Sequence, residues 1–282
     1  MTASDLEDDS PGQPAPPRSL IVTVYGLYAR EVGGWISVST LIRLLAELDV
    51  DAQAVRSSIS RLKRREILVS ERRDGRAGYA LSPYARSVLE TGDRRIFERH
   101  AVTDDGWVIA VFSVPESERQ HRHQLRSRLA WLGFGTVSSG IWIAPAHALE
   151  DTRDHLLRHG LDQYVDLFRG DYVAFGDPAE QVGRWWDLEA LQKLYDDFVA
   201  EFTPMAGRWA GSGTVSDRAA FIDYVHVLTA WRRLPYLDPG LPSSLLPATW
   251  SGTTAADLFA SLRHTLADPA HEFARSLLDD PL

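Results

Sequence analysis

The chain has 282 residues, 44% of them hydrophobic and 24% charged, ordinary proportions for a globular protein of about two domains or three small ones. No stretch approaches the roughly 18 apolar residues of a membrane helix, and the acidic start lacks the basic and apolar runs of a secretory signal. The absence of cysteine excludes disulfides, thiol nucleophiles and cysteine-held metals, and fits a cytoplasmic protein without requiring one.

The net charge of −9 leans away from nucleic acid when taken whole. Its distribution does not. Residues 1–17 carry four acids, four prolines and no Lys or Arg, and are expected to be a disordered tail. Residues 18–99 carry 15 basic and 10 acidic groups, whereas residues 100–282 carry 15 basic and 25 acidic. A basic block therefore sits on an acidic body.

That block, residues 18–99, reads as three helices, two strands and a helix. In SLIVTVYGLYAR the spacing of Leu20, Val24, Leu27 and Tyr28 favours a helix over the strand propensity of Ile21-Val22-Thr23-Val24. Ser39 or Thr40 is a candidate cap for a helix whose stripe is Leu41, Leu44, Leu45 and Leu48. After the turn Asp49-Val50-Asp51, Asp51 is placed to cap a helix over 52–65, with Val55, Ile59 and Leu62 facing inward. Strands around Ile67-Leu68-Val69 and Tyr79-Ala80-Leu81 flank a turn at 74–78, and Ser82-Pro83 starts a further helix. Helix, short turn, helix and hairpin form the winged helix-turn-helix layout. The exposed side of the second helix carries Gln53, Arg56, Ser57, Ser60, Arg61 and Arg64, and the turn region carries Arg72, Arg73 and Arg76. Glutamine reads base edges, arginine takes guanine or phosphate, and serine adapts to either. The competing reading is a solvated face on a protein-interaction module.

Residues 105–176 read β-α-β-β-α-β, the order of a ferredoxin-like fold, with strands at 107–114, 136–137, 141–143 and 164–168 and helices at 116–132 and 148–159. Residues 180–282 read as mainly helical, with helices at 185–202, 217–234 and 253–266 around a Pro-rich loop and room for one more helix at the end. The fold class expected is α+β. His155 and His159 lie at i, i+4, but nothing completes a metal set, so no metal or other cofactor is expected. No G-x-S-x-G elbow, phosphate loop or dinucleotide fingerprint is present, and no catalytic residue is assigned.

Taken in order, PPRSLIVTVYGLYAR, DVDAQAVRSSISRLKRREILVSER and GRAGYALSPYAR, then DDGWVIAVFSVPESERQHRHQLRSRLAWLGFGTVSSGIWIAP, then FVAEFTP, WRRLPYLDPGLPSSLLPATWSG and ADLF resemble the PaaX family of bacterial transcriptional regulators. The resemblance spans about residues 18–275. It implies a dimeric repressor of an aromatic catabolic operon, bound to double-stranded operator DNA and released by a small effector such as an aryl acyl-CoA. The middle unit is also similar to the ferredoxin-like endoribonucleases of CRISPR adaptation, which hold a metal with an aspartate at the end of the first strand. Here that place reads Phe112-Ser113-Val114-Pro115, so a metal-dependent nuclease is the weaker alternative and dimerisation and relay the expected role. For the effector, Trp209, Tyr224, Trp231, Tyr236 and Trp250 offer stacking and Arg232 and Arg233 offer charge, although the same rings also suit simple core packing.

Overall fold

The structure is a computed structural model and describes residues 15–98, 106–173, 175–211 and 216–279. Residues 1–14 of the tail expected to be disordered lie outside the described residues, and Pro17 of that stretch already occupies the first helical position. α1 (Pro17–Val24) continues through a π turn at Tyr25–Ala29 and a 3₁₀ turn at Arg30–Val32 to Gly33, whose φ of 76° ends it. Burial of Ile21, Val24, Tyr25 and Tyr28 overrides the strand propensity of this run.

A three-residue strand that the pattern did not announce follows, β1 (Trp35–Ser37). α2 (Val38–Ala46) is capped by Ser37, which accepts from the Thr40 amide, rather than by Ser39 or Thr40. α3 (Ala52–Arg64) is capped by Asp51 and buries Val55, Ser58, Ile59 and Leu62. β2 (Leu68–Arg73) and β3 (Arg76–Leu81) are joined by Asp74 and Gly75 alone, at φ 50° and 78°. Two consecutive left-handed residues make the tight hairpin turn that matches strand twist, so the strands run longer than the five-residue turn expected. The sheet order is β1-β3-β2, antiparallel throughout. α4 (Pro83–Phe97) starts as Ser82 accepts from the Ala85 amide.

The middle unit contains β4 (Trp107–Phe112), α5 (Arg119–Trp131), β5 (Gly135–Ser138), β6 (Ile141–Pro145), α6 (Leu149–Arg158) and β7 (Val165–Gly170). Its strand order is β5-β6-β4-β7, every pair antiparallel. Val108, Ala110, Phe112, Trp142 and Ala144 meet Leu125, Leu129 and Leu156 of the two helices in a core of their own.

The last third is helical: α7 (Pro178–Trp185), α8 (Leu188–Ala210), α9 (Asp217–Trp231), α10 (Leu234–Leu237) and α11 (Gly252–Leu278). The helix expected from Trp185 is two helices. Trp186 is extended and Asp187 caps α8 through the Ala190 amide. The segment expected to stop near Leu266 runs on through Pro269, because Leu266, Ala270 and Ala274 are fully buried. An interior proline costs about 3 kcal/mol, which this burial offsets. α8, α9 and α11 close over α1–α3 in one continuous core, so the first and last parts of the chain form a single body.

Candidate nucleic-acid interface

Asp51 fixes where α3 begins. Its Oδ1 accepts from the amides of Gln53 and Ala54 at 2.8 and 2.9 Å. The apolar residues of α3 then turn inward at helical spacing, and Gln53, Arg56, Ser57, Ser60, Arg61 and Arg64 all stand exposed. Lys63 and Arg65, outside the set expected from the sequence, are exposed as well. No acid interrupts residues 52–65. The exposed face of α3 and its cap residue thus carry six cationic or amide-bearing side chains, donors of the kind that phosphate and base edges accept.

The hairpin divides its arginines. In the register, Arg72 stands opposite Ala77 and Arg73 opposite Arg76. Strand residues alternate faces, so Arg72 shares the face of Leu68 and Ser70, while Arg73 and Arg76 share the other face. On that second face Arg73 binds Glu71 at 2.6 Å, donates to the Gly33 carbonyl at 3.3 Å and lies over the Trp35 ring at 5.5 Å. Gly78 is what lets Trp35 lie flat there, since a Cβ would come within 2.4 Å of the indole. Arg73 thus braces the sheet, whereas Arg72 and Arg76 are exposed. On the first face Lys63 of α3 sits 5.7 Å from the Tyr79 ring, which ties helix and hairpin together.

The residues considered for an effector do not form one group. Trp209 donates to Asp223 at 2.7 Å. Tyr224 is core, its phenol raised by burial against the pull of Arg263. Tyr236 stacks on Trp131 of the middle unit at 5.4 Å, and Arg232 reaches the Ser19 carbonyl at 3.4 Å. Arg233 precedes α10 as its cap residue. Only Trp231 and Trp250 line the large cavity, of about 580 Å³, between α4, the middle unit and the last helices. The other walls of that cavity include Arg95, Phe97, Phe259 and Arg263. The sequence carried no signal for them, because they converge only after three distant segments pack.

His155 and His159 do share a face, with rings stacked at 4.3 Å. His155 Nε2 meets Arg128 at 2.8 Å and His159 Nδ1 meets the His155 carbonyl at 2.7 Å. No group of three metal-capable side chains forms among the described residues. No helix among them is long and apolar enough to cross a membrane.

This architecture meets three family models in chain order: a PaaX-like protein over residues 16–85, the PaaX protein central Cas2-like domain over 100–182, and the PaaX-like protein C-terminal domain over 186–276. The transcriptional repressor PaaX of Escherichia coli (strain K12) is 26% identical over 261 residues, 90% of this chain and 82% of that protein. Among solved structures, the uncharacterized protein Rv0674 from Mycobacterium tuberculosis matches with a TM-score of 0.58 at 21% identity, over 88% of this chain and 99% of that one. That likeness bears on fold alone. The chain belongs to the PaaX family.

Proposed function

We propose that this chain is a sequence-specific DNA-binding transcriptional regulator, a repressor that a small aromatic or acyl-CoA effector releases. The first unit is read as a winged helix-turn-helix with α3 in the major groove. The observation that carries this reading is the uninterrupted basic and polar outer face of α3, beside a hairpin whose Arg72 and Arg76 stand exposed. Kinship with a curated transcriptional repressor supports it. The middle unit is read as ferredoxin-like on its strand order, and as the contact between two copies. Val111, Ile141 and Phe168, exposed on its sheet, support that role.

The test is footprinting and a salt titration on the DNA upstream of the chain's own gene. Arg56→Ala, Arg64→Ala and Arg76→Ala should each weaken binding. A lost phosphate contact should reduce the salt slope by about 0.9, and a lost base contact should cost about 1–3 kcal/mol at one base pair. Arg73→Ala should act through stability instead. Unchanged binding in the first three variants would remove α3 and the hairpin from the interface.

A further inference from the structure

The cavity between α4, the middle unit and the last helices has in its wall a buried guanidinium, Arg95, only one of whose nitrogens donates to the described residues. Arg95, near the end of α4, donates its Nε to the Pro235 carbonyl at 2.9 Å and lies over the Tyr236 ring at 5.1 Å. Among the described residues its two terminal nitrogens make no hydrogen bond and no carboxylate stands within ion-pair distance. Burial lowers this guanidinium from its ordinary value, against the opposing pull of Tyr236, Asp151 and Asp238. Asp238 is already engaged, accepting from the Tyr195 hydroxyl at 2.6 Å and the Gly240 amide at 2.7 Å. A desolvated cation with unused donors is costly unless an anion completes it.

The wall beside Arg95 is aromatic. Trp231 and Phe259 stack at 4.8 Å and 14°, and Phe97 continues the stack at 6.3 Å and 23°. Arg263 lies over Phe97 at 4.5 Å, so the cationic place on that outer ring is already filled. The volume, about 580 Å³, falls within the range of small-molecule sites, which favour junctions between units.

We propose that this cavity binds an organic anion carrying a flat apolar group, its anionic end on Arg95 and its ring along Trp231 and Phe259. This rests on the reading of the chain as a ligand-released regulator and supplies its site. The residues that meet here give the ligand leverage. α4 begins against the core behind α3, where Ala85 and Leu89 line a small cleft with Leu62, and ends in the cavity at Arg95. Trp231 Nε1 donates to the Ile96 carbonyl at 3.0 Å, which links the aromatic wall to the same helix end. An anion drawing on Arg95 pulls on the element that supports the DNA-facing helix.

The experiment is calorimetric titration of the full chain, without DNA, using 2-naphthoate, neutral 2-naphthamide and cationic 2-naphthylmethylammonium. Naphthoate should bind about tenfold to a hundredfold more tightly than the amide, as one charge-assisted contact allows. Arg95→Gln should erase that preference while leaving amide binding alone, a difference that general destabilisation would not produce. Ala260 is exposed on the cavity wall, so Ala260→Trp should fill the space and abolish binding without changing the melting temperature. Equal affinity for acid and amide, tighter binding of the ammonium, or undiminished binding by Ala260→Trp would overturn the site. DNA retardation with and without naphthoate forms a separate arm. Wild-type release that Ala260→Trp lacks supports the coupling, and no release from DNA that is otherwise bound overturns the coupling alone.

Discussion

The two ends of the chain and its middle are held together in different ways. α1–α3 and α8–α11 share one continuous core, whereas the sheet of β4–β7 keeps a separate one. Across the shared body run a buried hydrogen bond between the Thr23 and Thr229 hydroxyls at 2.8 Å, an ion pair of Arg218 with Glu47, and His271 against Glu31 at 2.6 Å. The middle unit meets the last third through a smaller cluster of Ile143 with Val182, Trp185, Leu188 and Leu241, and through rings: Trp107 on Trp185 and Trp186 at 6.0 and 6.1 Å, and Trp131 on Tyr236 at 5.4 Å. Order along the chain is therefore a poor guide to what packs as one piece. α3 shares its core with helices nearly two hundred residues further along the chain, and the bonds across that body fasten the segments that precede it, α1 and the end of α2.

The largest expected effect tests that division directly. Phe221 of α9 is fully buried between Tyr28, at 5.6 Å, and Phe273, at 5.3 Å. Phe221→Ala should cost about 3–5 kcal/mol. Hydrogen exchange should show α1–α3 losing protection together with α9 and α11, while β4 and α5 keep theirs. Loss confined to the C-terminal helices would break the idea of a single body.

Acid should separate the two regions in the opposite sense. Burial first, then the charges of His159, Arg128 and Arg158, push His155 down to about 3. The unfolded imidazole takes its proton near 6.5. Above that value both states are neutral and His155 adds no pH dependence. Between 6.5 and about 3 only the unfolded state is protonated, so stability falls as pH falls. The slope should stay below the ~1.4 kcal/mol per pH unit of a sealed site, because the ring is partly open to solvent. His226 of α9 is lowered as well, by burial, but Asp223 and Asp49 oppose that shift. Scanning calorimetry should thus show the middle unit losing more on acidification, and His155→Phe should flatten its response. A response unchanged in that variant would place the acid sensitivity elsewhere.

The smallest effect is expected at the seam. Thr23→Val removes the hydroxyl contact to Thr229 while Thr229 keeps the Val225 carbonyl at 2.6 Å. Urea unfolding should register about 1 kcal/mol. No measurable change would make this bond incidental to the shared body.

Where local chemistry decides, the sequence was readable. Asp51 before a run with Val55, Ile59 and Leu62 announces α3, and Ser82-Pro83 announces α4. The α+β class and the exposed face of α3 follow from the same signals. β1 escaped because three residues are too few to show alternation. The break at Trp186 escaped because helical periodicity continues across it and one aspartate cap is the only mark. The side taken by Arg73 depends on strand register, which the long turn expected at 74–78 left undefined. Neither the shared core nor the cavity could be read at all, since each is made by segments that meet only in three dimensions.

The cap of α3 has a consequence for how such a regulator would search a genome. A helix N-terminus ordinarily welcomes phosphate, with free amides and a favourable dipole. Here the amides of Gln53 and Ala54 are already taken by the carboxylate of Asp51. In the proposed complex that end of α3 offers a backbone of any sequence repulsion instead of a clamp. On that reading, encounters with wrong sites would be shortened, and long residence would be reserved for sequences whose base edges satisfy Gln53, Arg56 and their neighbours. A single aspartate starts α3, and in the proposed complex it would also keep that helix travelling.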